Sequence, residues 1–237
     1  MKVIYEDNHI IVVNKSPGEI VQGDKTGDVP LADLVRHYIK ERYQKPGNVF
    51  LGVVHRLDRP VGGLVIFART SKALTRLNRM FANGEVHKTY WAITPLPPHH
   101  APTATRLLTH WLTRNEQQNK SYAHQHEVKG SKKAQLRMTT LTAGDRYQLL
   151  EIELLTGRHH QIRCQLAAIG LPIKGDLKYG APRSNTDGSI SLLARKVTFR
   201  HPVTQQLMKL EAPLPSADIW QALAPEQPSK EEEAPSQ

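Results

Sequence analysis

The chemistry in this chain starts with Asp58, in the segment His55-Arg56-Leu57-Asp58-Arg59-Pro60-Val61-Gly62-Gly63. It is a carboxylate set between two arginines, just before a Gly-Gly pair and the apolar run 64–68. A carboxylate held on rigid scaffold can attack a sugar C1′ or act as a base at a neighbouring carbon. The competing reading of the same residues is a surface Arg–Asp bridge that pins a turn. The glycine pair permits a close approach of backbone or ligand. A second arginine-rich element, Leu155-Thr156-Gly157-Arg158-His159-His160-Gln161-Ile162-Arg163, supplies guanidinium groups that can hold a carboxylate or a phosphate through paired hydrogen bonds. Arg158 falls at the expected strand-to-helix junction, and any contact with Asp58 has to be tertiary. Tyr90, near Lys88 on an expected strand, offers a ring on which a nucleobase could stack. A tyrosine in such a place is also a common core residue.

The elements that must position these groups can be read from periodicity. Residues 9–14 form an apolar run closed by Ser16-Pro17-Gly18, a strand and a turn. Residues 28–43 have helical spacing, with Asp28 as cap, Pro30 in the first turn, and Leu31, Leu34, Val35, Tyr38 and Ile39 on one face. Residues 63–68 read as a buried strand. A helix follows from a Ser71 cap to about Ala82, with Leu74, Leu77 and Phe81 inward and Gly84 as its stop. Residues 86–93 are rich in aromatic and β-branched side chains, which favours a strand. Residues 95–102 read as a loop, and 113–133 as polar, basic loops or a hairpin. Residues 148–154 alternate as a half-buried strand, 158–169 read as a helix, 183–189 as a polar loop and 190–199 as a strand. Many strands interleaved with a few helices give an α+β fold with a mixed or largely antiparallel sheet. The expected division is one domain over 1–222 and a disordered acidic, Pro-rich tail over 223–237.

Composition narrows the partners. The 237-residue chain carries a formal net charge of +10, although Glu231, Glu232 and Glu233 make its end acidic. Such a basic body suits a polyanion. No run approaches the roughly 20 apolar residues of a membrane helix, and the N-terminus shows no signal-peptide pattern. The single cysteine, Cys164, excludes an intrachain disulfide framework and suits a reducing cytoplasm. There are 12 histidines, including His99-His100, His124 with His126, and His159-His160. They lack the ligand spacing of a zinc site and a carboxylate cluster nearby, so no metal is expected. No P-loop or dinucleotide fingerprint is present, so no cofactor is expected either.

Taken in order, several segments resemble the RluA-like family of RNA pseudouridine synthases: Tyr5-Glu6-Asp7-Asn8-His9-Ile10, His55-Arg56-Leu57-Asp58, Lys88-Thr89-Tyr90-Trp91-Ala92, Thr156-Gly157-Arg158 through Gln161-Ile162-Arg163, Gly175-Asp176-Leu177-Lys178-Tyr179-Gly180 and Phe199-Arg200-His201-Pro202. The resemblance implies the pseudouridine synthase catalytic fold, no cofactor, and isomerisation of a specific uridine in rRNA or tRNA. It implies that Asp58 is the catalytic carboxylate, that Tyr90 packs on the target base, and that Arg158 salt-bridges Asp58. Arg56, Gln161 and Arg163 join them as RNA-binding candidates. Arg114, Lys120, Lys129, Lys132 and Lys133 are candidates for an electrostatic footprint. Pro60-Val61-Gly62, His159 and Leu193 depart from the family's commoner residues and suggest a divergent subgroup. The S4-like module of many relatives is not seen, which leaves RNA affinity to the catalytic domain. A cytoplasmic monomer is the default expectation. The competing function is a non-catalytic RNA-binding or RNA-folding factor that keeps the fold.

Overall fold

A computed structural model of the chain describes residues 1–23, 27–97 and 105–225. The acidic segment 226–237 and the His99-His100 pair lie outside the described residues. The fold is α+β, built on one 11-stranded sheet in the order β1-β2-β4-β10-β5-β9-β8-β6-β7, with β3 paired to β4 and β11 to β10. The strands are β1 (Lys2–Glu6), β2 (Ile10–Lys15), β3 (Gly52–Val53), β4 (Gly62–Ala68), β5 (His87–Pro95), β6 (Thr105–Asn115), β7 (Lys120–His124), β8 (Lys132–Ala143), β9 (Tyr147–Leu154), β10 (Leu192–Arg200) and β11 (Leu207–Glu211). The helices are α1 (Leu31–Arg42), α2 (Ser71–Ala82), α3 (Gln161–Ala168) and α4 (Asp218–Ala222).

The continuous apolar runs in β2 and β4 follow from burial on both faces. Ile11, Val13, Val65 and Phe67 pack with α1 and α3 on one side. Ile10, Val12, Leu64 and Ile66 pack with α2 and α4 on the other. Strands covered on both faces lose the apolar–polar alternation of half-exposed strands. Among the described pairs, β4 with β10 is the one parallel pairing. All the others are antiparallel.

Several local expectations shift. Helix α1 starts after Pro30, while Asp28 lies outside it and ion-pairs with Arg59. Leu34 is exposed, because the buried stripe runs through Leu31, Ala32, Val35 and Ile39. The cap of α2 is Thr70, whose hydroxyl accepts the Ala73 N–H; Ser71 is already in the helix. Helix α3 starts at Gln161 rather than 158, because His160 adopts a left-handed φ of 51° and turns the chain just before it. Leu223 packs into the core behind α4, so ordered structure reaches past residue 222.

Gly63 has φ +115°, and a Cβ there would lie 2.4 Å from the Ala194 carbonyl oxygen. Gly63 therefore serves a close backbone approach, the junction of β4 with β10. Gly63→Ala meets both the left-handed penalty and a rigid backbone wall, and it should cost at least about 3 kcal/mol. Urea unfolding that shows a loss under about 1 kcal/mol would contradict this account.

Candidate active site

Asp58 sits on the turn between β3 and β4 and lines a cleft of about 870 Å³. Its side chain is partly exposed. The positive charge it meets comes from neither sequence neighbour. Arg59 is engaged with Asp28, and Arg56 is exposed on the cleft wall. Arg163, in the first turn of α3, donates from Nη1 to Asp58 Oδ2 at 3.0 Å. Its other nitrogens form a two-pronged pair with Asp176, Nε to Oδ2 at 2.7 Å and Nη2 to Oδ1 at 2.9 Å. Burial alone would weaken the charge on Arg163, but Asp176 and Asp58 together raise its pKa. The guanidinium is thus a fixed cation, oriented by one buried carboxylate and presented to a second that faces the cleft.

This corrects the expectation for Arg158. Its Nε donates to the Lys133 carbonyl and its backbone N–H to Gln161 Oε1, so it lines the cleft without bridging Asp58. The reason is the left-handed turn at His160, which leaves Arg158 in the loop and puts Arg163 on the helix face toward Asp58. Gln161 is also turned inward. Its carbonyl oxygen accepts from Thr156 Oγ1 and Arg158 N, and its amide nitrogen donates to the Gln135 carbonyl. It holds the 156–161 loop together and has little left to offer an RNA. The sequence did carry a signal for Arg163. It lies between Ile162 and Cys164, a small signal of burial for a cation that would then need a carboxylate partner, but polar Gln161 and Gln165 flank it, so the sequence does not say which carboxylate.

His160 is buried beside this pair. Its Nε2 lies 3.2 Å from Arg163 Nη1 and 3.5 Å from Asp58 Oδ2. Burial, then the Arg163 charge, pushes its pKa down to about 2, so the ring is neutral and makes no ion pair with Asp58. With Arg163 donating to Nε2, the ring proton lies on Nδ1 and points to the Tyr179 hydroxyl at 2.9 Å. That hydroxyl also accepts the Ser121 N–H at 2.8 Å, which ties α3 to the β6–β7 hairpin. Cys164 is buried, with Sγ facing the Ser121 carbonyl, and burial raises its pKa to about 11. It is a packing residue, not a nucleophile.

Tyr90 forms the other wall. It is buried on β5 and lines the cleft with Asp58. Burial, with the Asp58 charge second, raises the pKa of its phenol, so the hydroxyl stays protonated. His55 accepts the Ile66 N–H at Nε2 and stacks on Phe81 at 4.9 Å. Burial and Lys88 push its pKa down to about 3. Of the five footprint candidates, Arg114 reaches the cleft. Lys120, Lys132 and Lys133 lie on β7 and β8, and Lys129 in the turn before β8. Among the described residues, no group of three or more His, Cys, Asp or Glu could hold a metal ion. No helix among them is long and apolar enough to cross a membrane.

Sequence reasoning missed Lys15. It is buried at 1% exposure at the end of β2. Its ammonium donates to the carbonyls of Val61 at 2.7 Å, Arg59 at 3.0 Å and Asp58 at 3.3 Å, and to Ser16 at 3.1 Å. It therefore clamps the turn that carries Asp58. Burial lowers its pKa to about 8, against smaller opposing pulls from Glu19 and Asp58. Above that pH the amine has two protons for four carbonyls, and the clamp loosens. The folded pKa lies below the unfolded one. The cost of burying this charge is therefore full below about pH 8 and fades as pH rises from there to about 10.5, so stability gains from this group as the clamp weakens. Activity should fall severalfold above pH 8 without a matching loss of melting temperature. Lys15→Met should flatten that limb in a plot of kcat/KM against pH; an identical alkaline limb in the variant would rule Lys15 out as its source.

The cleft, with one carboxylate, one fixed arginine and one aromatic wall, sits on a fold shared with known structures. Human RNA Pseudouridylate Synthase Domain Containing 4 superposes with a TM-score of 0.72 at 21% identity, covering 92% of this chain and 90% of that one. Its human counterpart Domain Containing 1 gives 0.69 at 22%, covering 94% and 86%. The architecture is thus the pseudouridine synthase fold. The RNA pseudouridylate synthase family model matches residues 9–168. An RNA pseudouridine synthase of Bacillus subtilis, YhcT, is 31% identical over 91% of this chain and 69% of its own length. Ribosomal large subunit pseudouridine synthase D of Xylella fastidiosa is 30% identical over 94% and 69%. tRNA pseudouridine synthase C of Vibrio cholerae is 29% identical over 95% of both chains. The chain belongs to the RNA pseudouridylate synthase family, in its RluA-like branch, and is an isomerase of the uridine-to-pseudouridine class.

Proposed function

We propose that this enzyme isomerises a specific uridine of rRNA or tRNA, with Asp58 as the reacting carboxylate. The observation that carries the reading is the Asp58 carboxylate, open to the cleft and held at 3.0 Å by an arginine that a second carboxylate fixes from behind. The two RNA classes are those of relatives whose names specify ribosomal large subunit and tRNA targets.

In the reaction the N1–C1′ bond breaks, the uracil turns within the cleft, and C5 bonds to C1′. The C5 proton is then lost and N1 gains one, so atoms and electrons balance without a co-reactant. Asp58 either attacks C1′ directly or removes the C2′ proton to give a glycal; both routes need an anionic oxygen at the same place. Arg163 orients that oxygen through its contact with Oδ2. Tyr90 supplies the surface against which the base rests. The target must leave its stack, at a cost of a few kcal/mol in a duplex and less in a loop. Exposed Arg56, on the cleft rim beside Asp58, is placed to grip phosphate or fill the vacated space. The catalytic unit comprises residues 1–222 with the adjoining Leu223.

The test is pseudouridine mapping by carbodiimide-stop sequencing of total RNA, from cells with the gene, without it, and with Asp58→Asn. A site lost in both altered strains supports the reading and names the substrate. A site lost on deletion but kept with Asp58→Asn removes Asp58 from the chemistry. No lost site in any RNA, with the protein expressed, favours a non-catalytic RNA-binding role.

A further inference from the structure

Lys88 is a half-buried residue on β5 that lines the same cleft as Asp58. It lies two residues before Tyr90, so both side chains leave the strand on one face, about 7 Å apart along it. Its ammonium lies 5.6 Å from the centre of the Phe81 ring. A Cβ on Gly157 would sit 3.5 Å from that ammonium, so Lys88 spans the cleft wall from α2 to the loop before α3. Among the described residues Lys88 has no hydrogen-bond or ion-pair partner. Arg163 and Arg158, which line the same cleft, are already engaged with Asp58, Asp176 and the Lys133 carbonyl. Burial lowers the Lys88 pKa and no neighbouring carboxylate offsets it. A half-desolvated ammonium without a counter-charge is costly in the free protein, and an incoming anion repays that cost.

We propose that Lys88 binds an RNA backbone phosphate next to the target uridine; this rests on the RNA-modifying reading above. A nucleotide whose base lies on Tyr90 carries its flanking phosphates about one strand repeat away, where Lys88 stands. The separation from Asp58 matters as well. Lys88 does not pair with that carboxylate, so it can hold the substrate's charge without tying up the reacting group. Phe81 on one side and the Gly157 backbone on the other place the ammonium as a single charge on the cleft wall.

The experiment measures tritium release from [5-³H]uridine-labelled total RNA of cells lacking the gene, in which every target of the enzyme is still uridine. Wild type, Lys88→Met, Lys88→Gln and Lys88→Arg are compared across potassium chloride concentrations, with melting temperature as a check on folding. The two neutral variants should raise KM about 10-fold and leave kcat within about twofold. The slope of log(kcat/KM) against log salt should become shallower by about one, the signature of one lost phosphate contact. Lys88→Arg should restore the slope. An unchanged slope in both folded neutral variants, or a loss in kcat with KM intact, would overturn the assignment. No tritium release by the wild-type enzyme would instead defeat the RNA-modifying reading on which the assignment rests.

Discussion

Asp58→Asn should reduce turnover at least about 10⁴-fold, the scale seen when the charged member of a catalytic constellation is replaced without disturbing its geometry. The amide is nearly isosteric, and its oxygen can still accept from Arg163 Nη1. Arg163 itself stays anchored to Asp176 through two hydrogen bonds of 2.7 and 2.9 Å. The site should therefore keep its shape, and stability should change by no more than about 1.5 kcal/mol. RNA affinity should persist, because Lys88, Arg56 and Arg114 are untouched. Tritium release and RNA binding measured on the same preparation separate the two effects. A variant that keeps more than about 1% of wild-type turnover would show that a different group does the chemistry.

The second large effect should come from Asp176→Ala, in a residue that never meets the substrate. Asp176 is 1% exposed and Arg163 5%. Removing one partner of such a buried pair leaves an uncompensated charge and typically costs about 3–5 kcal/mol. For a chain of this size that corresponds to roughly 6–20 °C in Tm. The same change frees the guanidinium from two of its three carboxylate contacts, so it should drift from Asp58 Oδ2 and depress kcat even at temperatures where the variant is folded. Asp176→Asn keeps one acceptor oxygen and should fall between wild type and Asp176→Ala on both measures. Calorimetry showing a Tm within 2 °C of wild type for the alanine variant would mean that water or a rearranged side chain replaces Asp176.

The place of Asp58 on a turn before a buried strand was legible because the informative features around it are local: an arginine-flanked carboxylate, a glycine pair and an apolar run. The strand that carries Tyr90 was legible for the same reason, being dense in β-branched and aromatic residues. The partner of Asp58 was not. The periodic pattern over 158–169 runs smoothly through His160, and nothing in it announces a left-handed residue there. That one backbone dihedral moves the helix start by three positions, from 158 to 161, and exchanges Arg158 for Arg163 at the carboxylate. Lys15 was hidden differently. A lysine at the end of a strand reads as solvated, and its burial follows only from the carbonyls that the 58–61 turn folds around it. The strand order was equally out of reach, since pairing between distant strands leaves little trace in local periodicity.

That strand order bears on when the enzyme becomes competent as it is made. The sheet consists of a first portion, β1-β2-β4 with β3, which carries Asp58, and a second, β5-β9-β8-β6-β7, which carries Tyr90 and packs α3 with Arg163. Within the sheet the two are joined by β10, whose Leu193 and Ala194 pair with Gly62 and Gly63 on one side and with Trp91 and Tyr90 on the other. Residues that wait for a partner more than a hundred positions downstream meet it late, because loop closure must precede the contact. A nascent chain emerging N-terminus first would expose both portions before the strand that unites them. The sheet that aligns the carboxylate with the wall carrying Tyr90 is thus complete only once residues near 194 are in place, well after most of the site's side chains in chain order.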